Sequence, residues 1–202
     1  MSIAVVDYGA GNLTSVVKAF RAVGADLRVI STVDDLNDAR AVVVPGVGHF
    51  SATASLGPEW RTAVQAALGR GVPLLGICLG LQWLFEGSAE APDVPGLGLI
   101  AGRCFRIEGN IKVPHVGWNS LTLGARPSRL FDGIPTESSA YFTHSYAAPV
   151  VADTMATTTH AVAFSSAIER GIVFGAQFHP EKSGRAGLKM LTNFLHVVQG
   201  AA

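Results

Sequence analysis

The sequence predicts an α/β fold: a central, mainly parallel sheet with helices on both faces, and additional antiparallel strands in the second half. Three observations point there. Up to residue 86, short apolar runs alternate with amphipathic or polar helical segments, and a β-α-β-α-β-α-β-α order implies parallel strands joined by crossovers. Apolar residues make up 49% of the chain and glycine is plentiful, 23 of 202 residues, which suits a buried sheet closed by tight turns. From Gly87 onward, brief strand-like runs spaced by turn residues take over.

In order, Ile3 to Val6 make an apolar run ending on Asp7, as the first strand of a parallel sheet does. The turn Tyr8-Gly9-Ala10-Gly11-Asn12 follows, and residues 13–23 read as a helix. Gly9 and Gly11 resemble the start of a dinucleotide fingerprint, but the third glycine is missing, so the turn reads as a tight βα connection near the site. Residues 26–31 are a second strand, 32–39 a short polar helix or turn, and 41–44 a strongly β-branched third strand. Pro45-Gly46-Val47-Gly48-His49-Phe50 is a loop after it, with His49 a loop residue. Residues 60–69 are an amphipathic helix, 72–75 a buried strand and 79–86 the opening turns of a helix. Residues 88–98 form a Pro- and Gly-rich connection. Strands follow at 103–107, 116–123, 140–143, 161–168 and 172–178. Leu188, Leu191, Phe194, Leu195 and Val198 stripe a closing helix over 187–198. No repeat or boundary signal interrupts the chain, so residues 1–202 are expected to be a single domain.

Charge narrows the function classes. Lys+Arg and Asp+Glu are both 15, so no basic surplus is available for nucleic acid or an anionic lipid surface. No apolar run reaches the roughly 18 residues of a bilayer span, and the N-terminus has no signal-like leader. The two cysteines, Cys78 and Cys104, read as reduced thiols, and a cytoplasmic protein is expected. Cysteines and histidines lack the paired short spacing of a zinc site, and no complete phosphate loop is present, so no metal and no cofactor are expected.

The chemistry is concentrated in Gly76-Ile77-Cys78-Leu79-Gly80-Leu81-Gln82. A cysteine between a strand and a helix, with glycines two residues to either side, fits a nucleophile elbow. A helix start favours a thiolate there, and the Leu79 N–H points where a carbonyl oxygen would turn negative. A small buried core cysteine accounts for that stretch equally well. The Gly46-Val47-Gly48 loop offers the Val47 N–H as a second oxyanion donor, or is simply a glycine-rich connection. His179-Pro180-Glu181 decides between the readings. In extended chain, residues two apart project to one side, so Glu181 orients the imidazole while its other nitrogen faces Cys78. Asp7, the 45–50 loop, Cys78 and His179 all fall at carboxyl ends of strands, where ligands bind in such sheets.

Gly76-x-Cys78-x-Gly80-x-Gln82, His179-Pro180-Glu181 and Pro45-Gly46-Val47-Gly48 together resemble the class I, or triad, glutamine amidotransferases, over almost the whole chain. The resemblance implies their three-layer, flavodoxin-like fold. Residues 7–12, 45–50, 114–119, 141–146 and 179–183 narrow it to the branch that serves as the glutaminase subunit of a two-protein synthase in histidine biosynthesis. His49 stands where relatives often have a smaller residue. In that family Cys78 would attack the glutamine amide, His179 would protonate departing ammonia, Glu181 would hold the imidazole, and Val47 and Leu79 would form the oxyanion hole. Gly48, Gln82, His144 and Ser145 match positions that hold the α-amino and carboxylate groups of L-glutamine. The implied partner is a cyclase subunit with a (βα)8 barrel, forming a heterodimer that makes imidazole glycerol phosphate. Asn12, Trp118, Asn119, Tyr141 and Lys182 match its interface, although core packing explains Trp118 and Tyr141 as well. Another class I triad glutaminase, a stand-alone cysteine hydrolase and a non-catalytic binding module of the same fold are the competing readings.

Overall fold

The computed structural model describes residues 2–200. The first half builds β1 (Ile3–Val6), α1 (Leu13–Ala22), β2 (Leu27–Ile30), β3 (Ala41–Gly46), α2 (Pro58–Gly69), β4 (Leu74–Cys78) and α3 (Leu79–Leu84). The second half adds β5 (Phe85–Ser88), β6 (Ile100–Arg106), β7 (His115–Leu123), β8 (Ser138–His144), β9 (Tyr146–Ala147), β10 (Thr154–His160), β11 (Val162–Arg170), β12 (Val173–Ala176) and α4 (Gly184–Gly200).

Nine strands form one sheet in the order β2-β1-β3-β4-β12-β11-β10-β7-β8. The run from β2 to β12 is parallel, and β11, β10, β7 and β8 continue it antiparallel. A small second sheet joins β5, β6 and β9. Strand alternation sorts the core into two layers. Ile3, Val5, Ala41 and Val43 face a cluster with Phe20 of α1 and Met190, Leu191 and Phe194 of α4. Ala4, Val6, Val42 and Val44 face the other, with Val64 and Ala67 of α2 and Leu79, Leu81 and Trp83 of α3. Parallel strands buried on both faces explain why these runs are apolar throughout.

Four expectations are corrected. The helix read over 79–86 stops at Leu84, because Phe85 turns extended and enters β5, which pairs with β6. The strand read over 41–44 continues through Pro45 and Gly46, opposite Ile77 and Cys78. Proline is tolerated there because the ladder with β1 has already ended at Val43. The threonine-rich strand β10 was not expected at all. His179-Pro180-Glu181 is not extended: His179 caps a 3-10 turn over Pro180–Lys182.

Candidate active site

Cys78 closes β4 and caps α3 with φ +54° and ψ −106°. A non-glycine residue held there carries strain on the order of 1–3 kcal/mol, which persists only where its surroundings impose it. A Cβ on Gly76 would lie 2.5 Å from the Gly80 carbonyl oxygen, and one on Gly80 only 1.8 Å from that of Val44. The two glycines therefore let strand, turn and helix fold onto one another, with the cysteine at the bend.

His179 arrives along β12, the strand paired with β4. Its Nδ1 lies 2.7 Å from Glu181 Oε1, and the two side chains are only 3% and 2% exposed. On the other side of the ring, Nε2 is buried and meets no hydrogen-bond partner among the described residues. Burial pulls the imidazole down, but its interactions with Cys78 and Glu181 outweigh that and raise its pKa from 6.5 to about 10. The turn beneath His179 is pinned by a closed set of bonds. The His179 N–H donates to the Tyr141 carbonyl (2.9 Å), the Tyr141 N–H donates to Ser183 Oγ (2.9 Å), and the Ser183 hydroxyl donates to the His179 carbonyl (2.6 Å).

A cavity of about 300 Å³ opens beside the sulfur, and its walls bring together Val47, Gly48, Leu79, Gln82, His144 and Ser145. These are all of the oxyanion and glutamine-binding positions expected from sequence. Glu90 also lines the cavity and was not foreseen, since a lone acid in a Pro- and Gly-rich connection carries no pattern. Its Oε2 accepts from the Phe50 N–H at 2.7 Å, tying the loop after β3 to this wall.

His144 lines the cavity with both ring nitrogens engaged by protein groups. Nδ1–H donates to the Tyr146 carbonyl (2.9 Å), so Nε2 must accept, and His115 Nδ1–H donates to it at 3.1 Å. His115 Nε2 in turn accepts from Asn119 Nδ2 (3.2 Å), while His160 stacks on His115 at 4.0 Å between ring centroids. Burial is the main cause that lowers both pKa values from 6.5, to about 4 for His115 and about 3 for His144. The consequence for stability has a definite sign. Below pH 6.5 the unfolded chain binds protons that the folded pair refuses, so stability is complete above 6.5 and drains as pH falls toward 4 and then 3. Thermal melts between pH 7.5 and 4.5 should show this fall, and His115→Gln should flatten it; an equal slope in the variant would refute the assignment.

Of the expected interface residues, Trp118 is 59% exposed and its neighbour Val116 56%, so neither is core. Trp118 meets the Tyr141 ring edge-on at 6.0 Å, and Lys182 Nζ lies over the same ring at 5.6 Å. Asn12 is exposed, and its side chain caps α1 by accepting from the Ser15 N–H (3.2 Å). Asn119 turns its amide inward, to His115 and to the Thr159 carbonyl (3.1 Å). Cys78 and Cys104 are both free thiols. Among the described residues no cluster of His, Cys, Asp or Glu is set to hold a metal ion, and no helix is long and apolar enough to cross a membrane.

The family described as Glutamine amidotransferase class-I matches residues 4–198. The chain is 45% identical over 203 residues to the imidazole glycerol phosphate synthase subunit HisH of Moorella thermoacetica, covering 98% of this chain and 96% of that protein. It is 47% identical over 199 residues to the subunit of the same name from Deinococcus radiodurans, covering 95% and 92%. Among solved structures, PurLQS from Thermotoga maritima shares the fold, with a TM-score of 0.78 over 97% of this chain and 99% of that one at 18% identity.

Proposed function

The chain belongs to the class-I glutamine amidotransferases and, within them, to the HisH subunits of imidazole glycerol phosphate synthase, and on that premise we propose that Cys78, His179 and Glu181 are its catalytic triad. It is the glutaminase subunit, which hydrolyses glutamine to glutamate and ammonia in histidine biosynthesis. The observation that supports the residue assignment is the pairing of β4 with β12: the strained Cys78, a wall of the cavity, ends the first strand, and the buried His179–Glu181 pair follows the second.

The steps follow from the chemistry of these groups. With its proton on His179, Cys78 attacks the side-chain carbonyl carbon of glutamine, and the Val47 and Leu79 N–H groups hold the resulting oxyanion. His179 returns the proton to the departing nitrogen, the C–N bond breaks, and ammonia leaves a glutamyl thioester. Water then attacks the thioester, His179 takes its proton, and glutamate is released with the sulfur restored. Glu181 fixes the ring throughout by accepting from Nδ1–H. Glu90 faces the ammonium group of the substrate and Gly48 and Ser145 its carboxylate. His144, its ring nitrogens spent, shapes the wall.

The cyclase subunit, a (βα)8 barrel in a heterodimer, would dock on Val116, Trp118, Tyr141 and Lys182, which adjoin the turn carrying His179 and Glu181. We read residues 1–202 as one domain acting in the cytoplasm without a cofactor. The test mixes the chain with its cognate cyclase and follows glutamate release and complex formation. Trp118→Ala should weaken the complex by about 30-fold or more, as truncation of a central aromatic anchor does, with an unchanged melting temperature. Wild-type affinity in that variant would remove Trp118 from the interface.

A further inference from the structure

Gln177, fully buried at the end of β12, was singled out neither by motif nor by spacing, yet its amide joins two functional groups. Its Nε2 lies 3.6 Å from Cys78 Sγ, and its Oε1 lies 3.2 Å from Gln82 Nε2. Amide orientation is usually ambiguous, but here a backbone carbonyl fixes it. Tyr146 O can only accept, and Gln82 Nε2 donates to it at 2.8 Å. Gln82 therefore presents its NH2 group inward and has one hydrogen left, which Gln177 must accept through Oε1. That leaves the Gln177 NH2 group turned to the sulfur. Tyr146 O also accepts from His144 Nδ1–H, and the same logic runs on through His115 to Asn119, whose second amide hydrogen ends on the Thr159 carbonyl. Each donor sense from Thr159 to Cys78 is thus determined by two carbonyls, with no freely rotating hydroxyl among the links.

We propose that Gln177 is a positioning residue of the glutaminase site: it gives an N–H to the Cys78 sulfur and locks Gln82 so that the Gln82 carbonyl oxygen is left for the ammonium group of glutamine. The proposal rests on the reading of Cys78 as the nucleophile. A neutral donor aimed at sulfur favours its anionic, attacking form, and it acts before any substrate is present. The lock on Gln82 acts on binding instead. The two roles are separable, because a carboxylate at position 177 still accepts from Gln82 but offers no N–H to sulfur.

The test uses the full chain, alone and with its cyclase. Iodoacetamide labelling of Cys78 is followed by peptide mass spectrometry, which separates it from the buried Cys104, and glutamine kinetics are run in parallel. Gln177→Met should slow Cys78 labelling at neutral pH about tenfold, move its pH profile upward, lower kcat about tenfold and raise KM. Gln177→Glu should slow labelling and lower kcat at least as much while KM stays near wild type. A folded Gln177→Met or Gln177→Glu with wild-type labelling and kcat overturns the proposal. A third measurement needs no variant: the Gln177 side-chain amide resonances should be protected from exchange and should move when Cys78 is alkylated; exchanging, unmoved resonances also overturn it. If Cys78→Ala keeps its glutaminase activity, the triad reading itself falls. If that variant is inactive while the Gln177 variants are normal, only the present proposal falls.

Discussion

Cys78→Ala is expected to abolish glutamine hydrolysis, by about 10⁴-fold or more, while the ammonia-dependent reaction of the cyclase continues unchanged. The loss is large because the alternatives are poor. Without sulfur, His179 has no nucleophile to serve, and the remaining oxyanion donors stabilise a tetrahedral species that no longer forms at a useful rate. The fold should survive, since alanine at φ +54° is no more strained than cysteine. Cys78→Gly should be just as inactive but more stable than either, its melting temperature raised by a few degrees, because glycine relieves a left-handed residue costing on the order of 1–3 kcal/mol. The assay couples glutamate release to product formation with glutamine or ammonium as nitrogen source. Glutamine-dependent synthesis by Cys78→Ala would end the covalent mechanism.

Gly80→Ala should be the most damaging single methyl group in the chain. Its Cβ would sit 1.8 Å from the Val44 carbonyl oxygen and 2.8 Å from the carbonyl carbon, both main-chain atoms of a central strand. No rotamer change relieves a clash between backbones. Either α3 lifts from β3, which unpacks Leu79, Leu81 and Trp83 from their layer, or β3 leaves the sheet. A destabilisation beyond about 4 kcal/mol is expected, a large part of a typical domain's total stability. Gly69→Ala is the control, because nothing lies within 4 Å of its added carbon and it closes an ordinary helix. Circular dichroism and thermal melts decide the matter: a native-like melt for Gly80→Ala would mean that the elbow is looser than its geometry.

The sequence was most readable where backbone constraint and chemistry coincide. Gly76 and Gly80 announce the elbow because only glycine permits those approaches, and His179-Pro180-Glu181 announces its base because a proline limits what the segment becomes. The parallel strands were legible as unbroken apolar runs buried on both faces. Other features left weaker traces or none. Phe85 looks helical in sequence and becomes extended only because β6, fifteen residues on, offers a partner. The β-branched signal of Thr154, Thr157, Thr158 and Thr159 was present, but their hydroxyls make a strand read like a loop. Glu90, Gln177 and Ser183 are polar residues whose partners lie 40, 99 and 42 positions away. Only tertiary structure makes them meet. Trp118 remained undecided because one exposed aromatic and one buried aromatic look alike in a string of letters.

The place of β12 in the middle of the sheet bears on how the chain is made. It comes last among the described strands, yet it wedges between β4 and β11, so the pleated surface stays split until residue 176 is available. A nascent chain emerging from the ribosome carries its thiol long before its imidazole, and is chemically silent through most of translation. Pairings this distant in sequence also form slowly, so the fold and its reactivity arise together, when β12 joins β4.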